Sequence, residues 1–204
     1  AFIPLMILAG IYIDQKKQNW PVYFVRTAVA LVFTILLALV VIVQKYPGNF
    51  GSQQKNNLGE YCPTLDLSGW KDFSVAFDSL AKRDQVNHVM GTATSILVGK
   101  WFPAGHLEFY TARTTGIPLI GVGPLQDIHK FAWLNKERPT LKIGSDAYCI
   151  VPSNVPFNVA EAYGPYFNTI DAPITIEQKR GGVVVRNFLV YRLRGCSKVP
   201  QSLF

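Results

Sequence analysis

The chain has 204 residues and a formal net charge of +7. Only 16% of its residues are charged and its mean hydropathy is +0.18, where an ordinary soluble domain carries roughly 25% charge. Both numbers point to a chain partly solvated by lipid, and the apolar residues crowd into residues 1–44.

Residues 1–13 read AFIPLMILAGIYI. This run falls short of the ~20 residues that cross a hydrocarbon core. It has neither the basic lead nor the small-residue cleavage site of a signal peptide. It reads as the truncated end of a membrane helix, with a buried or interfacial helix as the alternative. Residues 14–21 then form a cytoplasmic loop. Residues 22–43 (VYFVRTAVALVFTILLALVVIV) carry one charge, Arg26, close enough to the end to snorkel. At the α-helical rise they span ~33 Å, and a transmembrane helix is predicted over 22–44. Its β-branched residues would weaken a helix in water, but lipid demands that every backbone group be satisfied within the segment. Trp20 and Tyr23 mark one interface and Tyr46 the other. Lys16, Lys17 and Arg26 precede the helix core, and Lys45 and Lys55 follow it. The denser basic cluster stays inside, so residues 45–204 are expected outside the cytoplasm.

Residues 45–67 read as a polar linker. From Ser68, a possible N-cap, Trp70, Phe73, Phe77 and Leu80 recur at helical spacing. Further on, residues 86–90 are a strand candidate, and 102–113 a helix broken early by Pro103. Residues 118–122 (PLIGV) are a short strand, 127–135 a helix capped by Asp127, 147–151 a strand and 157–163 a helical turn. Extended runs at 174–178 and 183–193 flank Lys-Arg-Gly-Gly, the signature of a β-hairpin. The order predicts an extracytoplasmic α/β domain over 68–204, with a mixed sheet, flanking helices and a C-terminal hairpin.

Cys62, Cys149 and Cys196 allow at most one internal disulfide, and spacing does not choose among the three pairings. They read best as small buried hydrophobes. No nucleophile elbow, phosphate loop, zinc-protease motif or dinucleotide fingerprint occurs. Gly121-Val122-Gly123 reads as a turn. Three aromatic or basic clusters remain: Lys100 to His106, Asp127 to Arg138, and Arg186, Arg192 and Arg194. Flat rings stack on sugars, and Lys and Arg hold phosphates. The plainer reading puts Trp101 and Trp133 in the core, His106 and His129 in structural hydrogen bonds, and the arginines on a solvated strand face.

KWFPAGHLEFYTAR (100–113), GVGPLQDIHKFAWLNK (121–136) and CPTLDLSGWKDF (62–73) resemble the C-terminal domain of bacterial dolichyl-phosphate-mannose–protein mannosyltransferase-like enzymes. These are multi-pass glycosyltransferases of the C-type superfamily. The resemblance covers most of residues 1–152 and is weaker beyond. It implies transfer of a sugar from a polyprenyl-phosphate carrier to an acceptor glycan, lipid or protein outside the bacterial cytoplasmic membrane, with this chain as the C-terminal, periplasmic portion. The family's catalytic carboxylate lies in a first external loop with no counterpart here, so no catalytic residue is carried over and the fragment alone is expected to be inactive. If the domain caps such a site, His106, His129 and Lys130 are the candidate substrate-binding residues. No cofactor is expected, although a divalent metal is compatible with the reading, and nucleic acid is not an expected partner. The alternative is a non-enzymatic, membrane-anchored extracytoplasmic binding or assembly domain.

Overall fold

The computed structural model describes residues 3–16, 22–91 and 94–200, and the chain divides into two compact units, residues 1–44 and 45–204.

The first unit holds α1 (Ile3–Lys16) and most of α2 (Val22–Lys45). Asp14, Gln15 and Lys16 continue α1 rather than opening the predicted loop. Lys17 and Trp20, used in the orientation argument, lie outside the described residues. No residue of α2 is buried. A helix this apolar, with none of its residues buried, is suited to lipid. The hydroxyls of Thr27 and Thr34 donate back to the Tyr23 and Ala30 carbonyls at 2.8 Å, so neither polar atom needs a partner outside the helix. α2 is long and apolar enough to cross a membrane.

The second unit is a six-stranded mixed sheet with helices on it. Strands β1 (Ser95–Val98), β2 (Leu119–Gly121) and β3 (Ala147–Pro152) are parallel, in the order β2-β1-β3. The long β6 (Val183–Cys196) runs antiparallel to β3. β4 (Phe167–Ile170) and β5 (Ile174–Arg180) both pair antiparallel with β6. Gly181 and Gly182, at φ 57° and 84°, close the predicted β5–β6 hairpin. Two successive positive φ values make the tight turn whose twist matches the strands.

α3 (Trp70–Val86) buries Trp70, Phe73, Phe77 and Leu80, the face expected from their spacing. They pack on Ile96, Val98, Tyr148, Ile150, Phe188 and Val190. The opposite sheet face carries Leu97, Ile120, Cys149, Val151 and Leu193 together with Val159 and Tyr163 of α8 (Val159–Tyr163). Cys62, Cys149 and Cys196 are buried free thiols.

Several expectations need correction. Ser68 does not cap α3: its hydroxyl donates to the Thr64 carbonyl, and Gly69 at φ 80° holds the cap position. Residues 86–90 are the end of α3 and the turn after it, and the strand is the fully buried Ser95–Val98. Pro103 does not break its helix. It sits in the first turn of α4 (Trp101–His106), where a missing N–H costs nothing. The helix continues through a π-helical turn, Leu107–Ala112, into α5 (Arg113–Thr115). Within that turn the Tyr110 carbonyl accepts from the hydroxyls of Ser74 on α3 at 2.6 Å and Thr114 at 2.7 Å. Residues 127–135 form not one helix but α6 (Leu125–Ile128) and α7 (Phe131–Leu134), broken at His129, and Pro124 rather than Asp127 precedes the first. The segment 45–67 is folded rather than a free linker. Ser52 and Gly59–Glu60 exchange backbone hydrogen bonds, and Cys62 and Leu65 pack on Val185. The arginines on β6 are not a solvated face. Arg186 is fully buried, Arg192 grips buried Asp84 through Nε and Nη2 at 2.7 and 2.6 Å, and Arg194 lies near Asp146 and Asp171.

Candidate functional site

The order β2-β1-β3 means the chain leaves β1 for one neighbour and returns to its other side. In open α/β sheets, ligands bind outside the carboxyl ends of the strands where the order reverses in this way. Here that end carries the segments entering α4, α6 and the loop after β3.

A groove of about 560 Å³ opens beside the carboxyl end of β2, lined by Trp101, Leu125, Gln126, His129, Lys130 and Trp133. Its position follows from how the edge strand is finished. The Asn135 amide accepts from the Gly121 N–H at 3.0 Å and donates to the Gly121 carbonyl at 2.7 Å, supplying bonds that a further strand would have made. A side chain at Gly121 would collide with Phe131 Cβ, so only glycine lets α7 sit this close. Ile128 and Phe131 are thereby buried. Helices this short then leave their other faces to solvent. Trp101, Leu125 and Trp133 are 49%, 61% and 65% exposed. This corrects the expectation that the two tryptophans are core residues. They are the walls of the groove.

His129 sits at its bend with φ 48° and ψ −126°. A β-branch-free but bulky residue in this glycine-favoured region stores strain, of order 1–3 kcal/mol, which tends to mark functional sites. Its ring meets Trp101 edge-to-face at 5.6 Å. Lys130 is exposed, and its ammonium makes no ion pair or hydrogen bond among the described residues. The groove thus combines two indole faces, an imidazole and an uncommitted cation.

His106 lies elsewhere. It stacks on Trp70 at 4.5 Å and meets Phe102 edge-to-face at 5.3 Å. Phe102 in turn touches Trp101 at 5.9 Å. A continuous run of rings, His129–Trp101–Phe102–His106–Trp70, therefore joins the two sequence-predicted histidines, although only His129 and Lys130 share the groove. Burial lowers the His106 pKa, Arg186 pushes the same way and Asp66 opposes both.

The guanidinium of Arg186 packs in the corner made by the Trp70 and Phe188 rings, 4.4 Å from each centroid. Nε donates to Gln178 Oε1 at 2.8 Å, Nη2 to the Ser68 carbonyl at 2.7 Å and Nη1 to Asn154 Oδ1 at 3.3 Å. Among the described residues no carboxylate forms an ion pair with it; burial lowers its pKa, and nearby Asp66 opposes the fall. A second pocket, of about 290 Å³, opens above this layer and is lined by Tyr61, Cys62, Pro63, Asp66, Phe102, Asn154 and Val155. Of these, only Phe102 belongs to one of the aromatic and basic clusters, Lys100 to His106. Asp66 and Asn154 follow ordinary loops, and only the fold brings them within reach of Arg186.

Among the described residues, no three His, Cys, Asp or Glu side chains converge to hold a metal. The chain matches no protein-family model, no curated protein and no solved structure.

Proposed function

We propose that this chain is the C-terminal portion of an integral-membrane glycosyltransferase that takes its sugar from a polyprenyl-phosphate carrier, and that the Trp101–Trp133 groove receives the phosphate end of that carrier. The observation that carries this reading is the composition of the groove. A carrier of this kind joins an isoprenoid chain and a sugar ring through a phosphate. Indole faces and Leu125 suit the apolar and ring portions, while Lys130 offers an unpaired ammonium to the phosphate. His129, next to it, adds an imidazole ring that can donate an N–H to the same phosphate. α2, apolar on every side, supports a membrane setting, and the basic residues before it support an extracytoplasmic second unit. His106, half-buried and stacked on Trp70, serves this reading as a buttress rather than a contact to the carrier.

The test has two arms on the enzyme in its native membrane. A reporter fused after Tyr61 is active only outside the cytoplasm. Lys130→Ala and Trp133→Ala lower sugar transfer by about tenfold, the worth of one charge-assisted contact, with expression unchanged. A reporter active only inside, or normal transfer by both variants, sinks the proposal.

A further inference from the structure

The second pocket has a chemistry of its own. Arg186 can only donate hydrogen bonds. The Asn154 atom facing it at 3.3 Å is therefore the carbonyl oxygen, which fixes the orientation of an amide that is otherwise ambiguous. Asn154 Nδ2 is turned toward the pocket as a consequence. It lies 3.4 Å from Asp66 Oδ1, a long contact that leaves one of its hydrogens free. Asp66 Oδ2 has no hydrogen-bond partner among the described residues. Asn154 itself is 8% exposed, so its aim is set by the buried layer below and not by solvent.

An anchored amide donor thus stands beside a carboxylate acceptor. That pair matches two adjacent hydroxyls, one donating to the carboxylate and the other accepting from the amide. The half-buried Phe102 ring adds an apolar wall of the kind that C–H groups of a sugar ring stack on. Tyr61, 89% exposed, stands at the rim with φ 64°. A tyrosine held in the left-handed region is strained, and here the strain places an exposed ring at a pocket mouth. The cavity, about 290 Å³, lies at the small end of ligand sites, which run from roughly 300 Å³ upward, and suits a single ring.

We infer that the pocket formed by Tyr61, Asp66, Phe102 and Asn154 is a carbohydrate subsite that binds one pyranose ring through a pair of neighbouring hydroxyls. It is separate from the Trp101–Trp133 groove and does not depend on the transferase reading. Asp66 and Asn154 act as ligands, and Arg186 acts through Asn154 as a positioning residue. Among the described residues that line it there is no Lys or Arg, and the carboxylate of Asp66 repels a phosphate. Burial raises the Asp66 pKa while Arg186 and His106 oppose the rise, so a ligand hydroxyl that donates to this carboxylate relieves part of its lost solvation.

The experiment is saturation-transfer NMR on the full chain in lipid nanodiscs, titrated with methyl glycosides of hexoses and pentoses. At least one glycoside with adjacent free hydroxyls shows transfer to its ring protons. Asp66→Asn, nearly isosteric but uncharged, weakens that binding by about tenfold. Tyr61→Ala weakens it as well, and decides the matter if the Asp66 variant fails to fold. Deoxygenating either of the adjacent hydroxyls abolishes the signal. No transfer from any glycoside, or binding indifferent to both substitutions, overturns the inference. Loss of carrier binding elsewhere leaves it untouched, so the two readings fail separately.

Discussion

At the scale of single residues, His129 shows what a strained backbone does for the groove. Its φ of 48° lets the chain reverse between two one-turn helices while the imidazole stays at the groove wall. Glycine adopts the same geometry without penalty. His129→Gly should therefore raise the stability of the domain by about 1 kcal/mol while weakening carrier binding. Urea denaturation of the two proteins checks it, and a loss of stability would mean that the imidazole contacts hold the bend. His106 gives a second prediction, in pH. Its pKa is lowered on folding from the ordinary 6.5, chiefly by burial and then by Arg186. The unfolded chain thus takes up the proton first. The stability it contributes is complete above 6.5 and is lost as pH falls through the folded value. Asp66, raised by burial, works oppositely at more acid pH, because there the folded state takes the proton first. Thermal unfolding followed downward from neutral pH should show a decline that His106→Gln flattens, and an unchanged slope in that variant would remove His106 from the account.

At the scale of elements, the legible parts were those with a strong period or a strong turn. The Trp70, Phe73, Phe77, Leu80 face of α3 and the Gly181-Gly182 hairpin stand in the structure as their residues imply. What failed was short. β1 has four residues, all buried, and a buried parallel strand shows no alternation to read. Residues 86–90 carry valines that suit a strand, but helix α3 runs on through Val86. Pro103 suggested a break because a sequence does not reveal that the helix starts only two residues earlier. The groove depends on a detail of the same kind, the Asn135 amide closing on Gly121. Asn135→Ala leaves a buried N–H and a buried C=O unpaired. It should cost about 2–4 kcal/mol and speed amide exchange across residues 125–135. A variant as stable as the parent would show that α6 and α7 are held by packing of Ile128 and Phe131 alone.

At the scale of the whole molecule, the composition and element order implied an apolar helix and a mixed α/β sheet with flanking helices, and the structure has both. The candidate site was half legible. Clusters of aromatic and basic residues pointed to His129 and Lys130, which do share a groove, but placed Trp101 and Trp133 in the core because large rings usually go there. Burial is a property of the assembled surface, and one-turn helices on an edge strand leave rings outside. Asp66, Asn154 and Arg186 carried no local signal at all, being separated by 88 and 32 residues along the chain. The proposal that the exposed aromatic groove holds a phosphorylated isoprenoid rests on Trp101, Trp133 and Lys130. Its most direct test is equilibrium binding of a short-chain polyprenyl phosphate to the chain in nanodiscs, against the uncharged polyprenol. The phosphate form should bind saturably and more tightly than the alcohol, with Lys130→Ala removing about tenfold of the preference. Equal binding of phosphate and alcohol, or a preference untouched by Lys130→Ala, would contradict it.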